Sequence, residues 1–241
     1  VSTPWHPGEH VAVIGQTGRG KTHVIDRLVR ENRAYVIVFK TKDDPEDADK
    51  YWRGFKRIET VSGLTDTRFT RFLLAPPLGK YPQQYDHMIR EGHRLIAKVF
   101  KQGGWTVVFD ERWLAENILG LQSGIEMLET QGRSKGISVV SGMQRPVDVS
   151  RQALAQATHI VSFAGDTRDG DTIGKATTKP YGQAVMALKE HDFAYYHRVS
   201  GRIMRGNSQG LSAVIRPALA GVDSVATAVR ATMRAAGTGG R

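Results

Sequence analysis

The sequence predicts an α/β fold with a mainly parallel central sheet flanked by helices, and three observations carry that expectation. The apolar run Val11-Ala12-Val13-Ile14 leads into the glycine-rich Gly15-Gln16-Thr17-Gly18-Arg19-Gly20-Lys21-Thr22 and then into a helical pattern with Val24, Ile25, Leu28 and Val29 on one face. A second apolar run, Tyr35 to Phe39, follows directly. Strand, helix and strand at this separation form a βαβ unit, whose right-handed crossover makes the strands parallel. Further short apolar runs at Trp105–Phe109, Ile137–Val140 and Thr158–Phe163, each set between helical or turn-rich segments, extend the same sheet.

The glycine-rich stretch has its own chemistry. Phosphate oxygens carry dense negative charge, so a site for them needs inward-facing backbone N–H groups and few side chains in the way. A strand that delivers such a loop to a helix N-terminus meets that need, and Gly15, Gln16, Thr17, Gly18, Arg19, Gly20, Lys21 and Thr22 read as a P-loop. Lys21 reaches the β and γ phosphates of a nucleotide, and the Thr22 hydroxyl binds Mg²⁺. ATP with Mg²⁺ is the expected ligand. The alternative is a structural glycine-rich turn; the placement of the match between a buried-type strand and a helix, as phosphate binding requires, favours the nucleotide site.

Taken in order, the remaining segments divide into core and excursion. Residues 40–67 turn polar, with Asp43-Asp44-Pro45-Glu46-Asp47 ahead of the basic-aromatic Lys50-Tyr51-Trp52-Arg53-Gly54-Phe55-Lys56-Arg57, and are expected to form a surface insertion. Basic residues interleaved with aromatics suit either a nucleic-acid backbone or a hairpin packed on the domain. Arg71 to Leu74 is a short strand, and Tyr81 to Lys101 a helix with Pro82 in its first turn, closed by Gly103-Gly104. Trp105 to Phe109 is a strand ending in Asp110-Glu111, the form of a Walker B element: Asp110 holds the Mg²⁺ shell and Glu111 polarises the attacking water. Trp113 to Gln131 is expected as one helix. The basic Arg133 and Lys135 follow it, then the strand Ile137–Val140 and the turn holding Gln144, Arg145 and Pro146. Gln144 sits just beyond a strand tip, within reach of a γ-phosphate. A helix from Val149 to Ala157, the strand Thr158–Phe163, a polar segment with Arg168 and a late strand Phe193–Arg198 complete the pattern. The expected organisation is one domain over residues 1–216 and, over 217–241, a last helix carrying Val222, Val225, Val229 and Met233 with a flexible tail.

Composition narrows the class. The chain has 241 residues, 40% hydrophobic and 24% charged, which suits one well-buried domain. There is no cysteine, so disulfides and thiolate metal sites are excluded, and no apolar run approaches membrane-spanning length; a cytoplasmic protein is expected. Val1 to His10 does not read as a signal peptide. The eight histidines form no metal set by spacing, since His6 and His10 flank Pro7-Gly8. A net charge of +10 makes a polyanionic partner plausible without requiring one.

The Gly15–Thr22 stretch, the paired acids after Val107 to Phe109, and Gly132 to Pro146 with its Arg-x-x-Gly-Ile and Gln-Arg-Pro elements together resemble the FtsK/HerA ATPases, which pump double-stranded DNA. The resemblance implies a P-loop NTPase of the additional-strand, catalytic-glutamate class, RecA-like, with the Gln144 strand between the P-loop and Walker B strands. It also implies a homo-oligomeric ring, pentamer or hexamer, Gln144 as γ-phosphate sensor, and an arginine finger acting on the neighbouring subunit, for which Arg133 ranks first and Arg145 and Arg168 follow. Arg19 stands where the family has a small residue, and Phe39-Lys40-Thr41-Lys42 matches its Asp-Pro-Lys only loosely. In size the chain is similar to the small genome-packaging ATPases of viruses, which implies double-stranded DNA and a portal or capsid-vertex protein as partners and the host cytoplasm as location. The alternatives are a DNA-transfer ATPase of a plasmid or integrative element, a small-molecule kinase, and a nucleotide-regulated scaffold. A carboxylate pair placed for water activation favours hydrolysis over the last two.

Overall fold

Apolar runs of this kind must be covered on both faces, and the segments between them are long enough to return each strand in parallel. The computed structural model describes residues 3–42, 50–66, 68–80, 83–207 and 215–217. Among these, nine strands form one sheet, in the spatial order β10 (Arg202–Asn207), β9 (Asp192–His197), β8 (Ala157–Phe163), β2 (His10–Ile14), β7 (Ser138–Met143), β6 (Thr106–Phe109), β3 (Val36–Phe39), β5 (Arg71–Leu74) and β4 (Lys56–Ile58). Every pair from β8 to β4 is parallel, and the β9–β10 hairpin adds an antiparallel edge beside β8. A separate parallel pair joins β1 (Thr3–Trp5) to β11 (Ile215–Pro217). The strand before Gln144, β7, lies between β2 and β6, as the additional-strand class requires.

The helices cover both faces. Alternation along the strands sends Ile37, Phe39, Val107, Phe109 and Val139 to one side, where Leu95, Ile96 and Val99 of α2 (Asp86–Gln102) and Ile125 and Leu128 of α4 (Gln122–Gln131) bury them. Val36, Val38, Val108 and Val140 face the other side, against Val24, Ile25, Leu28 and Val29 of α1 (Lys21–Asn32). Each fully buried Val, Leu or Ile contributes about 1.5–3 kcal/mol, so this double layer holds the sheet. No helix among the described residues is long and apolar enough to cross a membrane.

Several segments depart from the sequence expectation. The helix expected from Trp113 to Gln131 is two helices, α3 (Arg112–Asn117) and α4, because Gly120 between them takes φ +64°, a left-handed conformation that ends a helix. The helix expected from Tyr81 begins at Asp86; Tyr81 and Pro82 lie outside the described residues. The stretch expected as a surface insertion, 40–67, supplies edge strand β4 and buries Trp52, Ile58, Val61 and Leu64, while Asp43 to Asp47 lie outside the described residues. Trp52 packs edge-on against Phe55, and Arg30 of α1 lies over the Phe55 ring and donates to the Tyr51 and Arg53 carbonyls. These aromatics therefore belong to the domain.

The polar segment around Arg168 folds as two helices, α6 (Thr167–Ala176) and α7 (Lys179–Met186), after the short α5 (Arg151–Gln156) that leads into β8. They meet at glycines: a Cβ on Gly182 would lie 2.3 Å from the Gly170 carbonyl oxygen. Asp166 caps α6 by accepting from the Asp169 N–H. The C-terminal helix expected over 217–241, with Val222, Val225, Val229 and Met233, lies beyond the described residues apart from Pro217.

Buried polar groups in this frame are specified by their bonds. His10, 3% exposed, accepts the Val139 N–H at Nδ1 (3.0 Å), so its Nε2 carries the proton and donates to the Glu129 carbonyl (2.9 Å). The bond from Val139 requires a neutral ring. Burial pushes its pKa down from 6.5 to about 4, against the Glu129 carbonyl and Glu9, which favour the charged form, and with Arg133 and Arg112, which oppose it. The unfolded chain binds this proton more tightly, so stability present above pH 6.5 is lost as pH falls towards 4. His10→Gln should flatten that part of a urea-unfolding series against pH, where the parent loses up to about 3 kcal/mol.

Candidate active site

The P-loop stands at the tip of β2, where the chain passes from strand to helix. Gly18 and Gly20 have φ of +83° and +97°, which side-chain-bearing residues rarely adopt, and Gly20 is the N-cap of α1. Gly15 lets the loop pass Phe163, since a Cβ there would lie 2.8 Å from the Phe163 Cβ, and its N–H donates to Met143 O of β7 at 3.0 Å. Lys21, 8% exposed, donates from Nζ to the Gln16 carbonyl at 3.1 Å, folding back over its own loop. Burial lowers its pKa; Glu111 and Asp110 pull it back up, and Lys42 pushes it further down.

The parallel register brings the other groups to the same tip. Thr22 Oγ1 donates to Asp110 Oδ2 at 3.0 Å, and its distance to Oδ1 is 3.3 Å. Gln144 Nε2 lies 3.2 and 3.4 Å from the two oxygens of Glu111. Lys42 Nζ lies 2.5 Å from Glu111 Oε1. A cleft of about 300 Å³ opens beside them, lined by Lys42, Glu111, Gln144 and Arg145, with Trp113 and Leu114 as its apolar wall. Lys21, Thr22, Asp110, Glu111 and Gln144 are thus one constellation. An amine, a hydroxyl next to a carboxylate, a second carboxylate and an amide can bind phosphate, hold a hard cation through oxygen donors, and orient a water.

The arginines fall in different places. Arg145, beside the cleft, pairs with Asp166 (2.8 Å) and Asp169 (3.2 Å) of its own chain, and these carboxylates raise its pKa. Arg19 pairs with Glu190 at 3.0 Å. Arg168 is exposed in the first turn of α6. Arg133 is exposed in a 3-10 turn ahead of β7, so it lies at the N-terminal end of the parallel strands, away from its own P-loop.

Two residues at the site escaped sequence reasoning. Lys42 could have been found from register: Phe39 pairs with Phe109, so the residues just past both strands share one tip. Arg112 gave no signal. It follows Glu111 yet is fully buried, donating to Glu116 Oε1 (2.7 Å), Ser141 Oγ (2.8 Å) and both oxygens of Glu129. It anchors the β6 tip to α4 and β7 from behind.

No family model matches the sequence. The chain is 26% identical over 171 residues to the DNA packaging ATPase P9 of Enterobacteria phage PRD1, covering 68% of each chain. Among solved structures, it superposes on the genome packaging NTPase B204 of Sulfolobus turreted icosahedral virus 2 bound to ATP-gammaS with a TM-score of 0.66 at 15% identity, covering 84% of this chain and 98% of that one. The crystal structure of B204, the DNA-packaging ATPase from Sulfolobus Turreted Icosahedral Virus, gives 0.63 at 16% identity and the same coverage. The cytoplasmic domain of the Thermomonospora curvata type VII secretion ATPase EccC gives 0.53 at 12% identity, with 95% of this chain matching 28% of that one.

Gly142 in β7 sets the spacing of the site, because a Cβ there would lie 2.2 Å from the Asp110 carbonyl oxygen. Gly142→Ala should displace the Asp110-Glu111 tip, costing about 1–3 kcal/mol in chemical denaturation and lowering nucleotide affinity with it. By sequence the chain is a homologue of the DNA packaging ATPase P9 of phage PRD1, and it shares the α/β fold of the virus genome-packaging NTPase B204.

Proposed function

We propose that this protein hydrolyses ATP and uses the cycle to translocate double-stranded DNA, as a viral genome-packaging motor. The observation that carries the reading is the convergence of Thr22 with Asp110 and of Glu111 with Gln144 at the tips of three adjacent parallel strands. The likeness to P9 of PRD1 supplies the DNA-packaging context.

In this reading the P-loop amides and Lys21 bind the β and γ phosphates. The Thr22 hydroxyl and Asp110 carboxylate, 3.0 Å apart, suit a magnesium ion as oxygen donors. Mg²⁺ bound there supplies charge neutralisation at the phosphoryl oxygens. Glu111 takes the proton of the water that attacks the γ-phosphorus as the bond to the β-phosphate oxygen breaks, releasing ADP and phosphate. Gln144, bonded to Glu111, reaches towards the γ-phosphate and registers its presence.

Arg133 remains the first candidate for a finger acting on a neighbouring subunit of a ring. It is exposed, lies away from its own P-loop, and makes no side-chain hydrogen bond or ion pair among the described residues, whereas Arg145 is held by two acids of its own chain. A net charge of +10, with Lys50, Arg53, Lys56 and Arg57 exposed together, suits a duplex phosphate backbone. A packaging role sets the protein in the cytoplasm of an infected cell, working with a portal or capsid-vertex protein.

Steady-state ATP hydrolysis with long linear duplex, single-stranded DNA or no DNA tests the motor, and stimulation by duplex above single strand is expected. Equal rates in all three would remove the translocase reading. Glu111→Gln should bind ATP normally and hydrolyse it about 10²–10⁴-fold more slowly, while Lys21→Ala should lose binding; undiminished turnover in Glu111→Gln would reassign the base.

A further inference from the structure

We propose that Glu9, His159 and His197 form a binding site for a transition-metal ion, zinc by donor type, at the end of the sheet opposite the nucleotide cleft. Distance along the chain conceals this set: the two histidines lie on neighbouring strands and the glutamate just before a third. His159 in β8 pairs with Val11 of β2 on one side and with His197 of β9 on the other, and Glu9 immediately precedes β2. One ligand atom from each of the three residues lies within 4.8 Å of the others. His159 Nε2 is 3.1 Å from Glu9 Oε2. Tetrahedral ligands at ~2.0–2.2 Å from zinc stand a little over 3 Å apart, so this pair already has the required spacing, and His197, within 4.8 Å of both, needs to close by at most about 1.5 Å.

The surroundings orient both rings. His159 Nδ1 is bonded to the Tyr195 hydroxyl and His197 Nδ1 to Ser200 Oγ, each at 2.8 Å. That leaves Nε2 of each ring as the ligating nitrogen, and an outer hydrogen bond on the other nitrogen is the arrangement that orients metal-bound imidazoles. Glu9 is fixed by the His6 N–H, which donates to Oε2 at 2.7 Å. The nearby cation, Arg33, donates to the Trp5 and His6 carbonyls at 3.0 and 2.8 Å. His159 is fully buried, while Glu9 and His197 are partly accessible to solvent.

Two histidines and a carboxylate favour zinc among the common divalent ions, since magnesium prefers all-oxygen sites. The five residues of β2 separate this cluster from the P-loop by about 17 Å, at ~3.4 Å per residue. A metal here clamps the antiparallel β9–β10 hairpin to the segment that enters the first core strand.

The test uses the untagged full chain, stripped with EDTA and titrated with Co²⁺ and then Zn²⁺. One equivalent of Co²⁺ should bind with visible absorption bands of low coordination number, Zn²⁺ should displace it, and Zn²⁺ should raise the melting temperature. Tyr195→Phe, which removes only the hydroxyl on His159, should weaken metal binding ~10-fold, and His197→Ala by ~100-fold or more, with ATP binding unchanged. Glu9→Gln, nearly isosteric, covers the case in which His197→Ala does not fold. Absence of Co²⁺ bands and of a thermal shift, or metal binding in Glu9→Gln equal to the parent, would overturn the proposal and leave a metal-free hydrogen-bonded Glu-His-Tyr chain.

Discussion

The contact on which the site depends is backbone against backbone, between β7 and the tip of β6. Gly142 presents no side chain, so the Asp110 peptide lies directly against it, and the turn after β6 is drawn towards the P-loop. That approach sets the Thr22–Asp110 distance, and because Glu111 is the next residue it also sets where Glu111 meets Gln144. A parallel sheet supplies the rest. From β8 to β4 the strand tips point the same way, so the residues that follow β2, β7 and β6 meet at one cleft. The insertion of β7 between β2 and β6 is therefore what allows the Gln144 amide to stand between the Gly15–Thr22 loop and the Glu111 carboxylate.

Behind this tip lies an ionic layer that the chemistry itself does not require. Arg112 is enclosed by Glu116 and Glu129, and Glu116 in turn accepts from the Ser150 N–H and hydroxyl. Burying three charges is expensive, and such clusters persist where geometry matters more than stability alone. Here the bonds join four segments: the β6 tip, α4, β7 and the start of α5. The charge next to Glu111 is thereby held inward, and the carboxylate of Glu111 faces the cleft, where Lys42 and Gln144 meet it.

Much of this was legible in the sequence, because phosphate binding constrains local residues in a local order. Gly15 to Thr22 announced the loop, and Asp110-Glu111 and Gln144 announced the tips, since each follows an apolar run. The sheet order itself came from the likeness to known ATPases and not from periodicity. What escaped was set by tertiary partners. Arg112 reads as a surface charge until Glu116 and Glu129 enclose it. Trp52 and β4 lie in a polar-looking stretch whose apolar residues are too few to show a period. The α6–α7 pair is glycine-rich because its helices nearly touch, and glycine lowers the helical signal. The split between α3 and α4 turned on the left-handed conformation of one glycine.

The position of Arg145 follows from the same geometry. In an extended segment, successive side chains point to opposite sides, and Arg145 has φ −134° and ψ 137° because Pro146 follows it. Gln144 faces Glu111, so Arg145 must face away, and there it meets Asp166 and Asp169 at the N-terminus of α6. One peptide therefore joins the Glu111 side of the cleft to the N-terminus of α6.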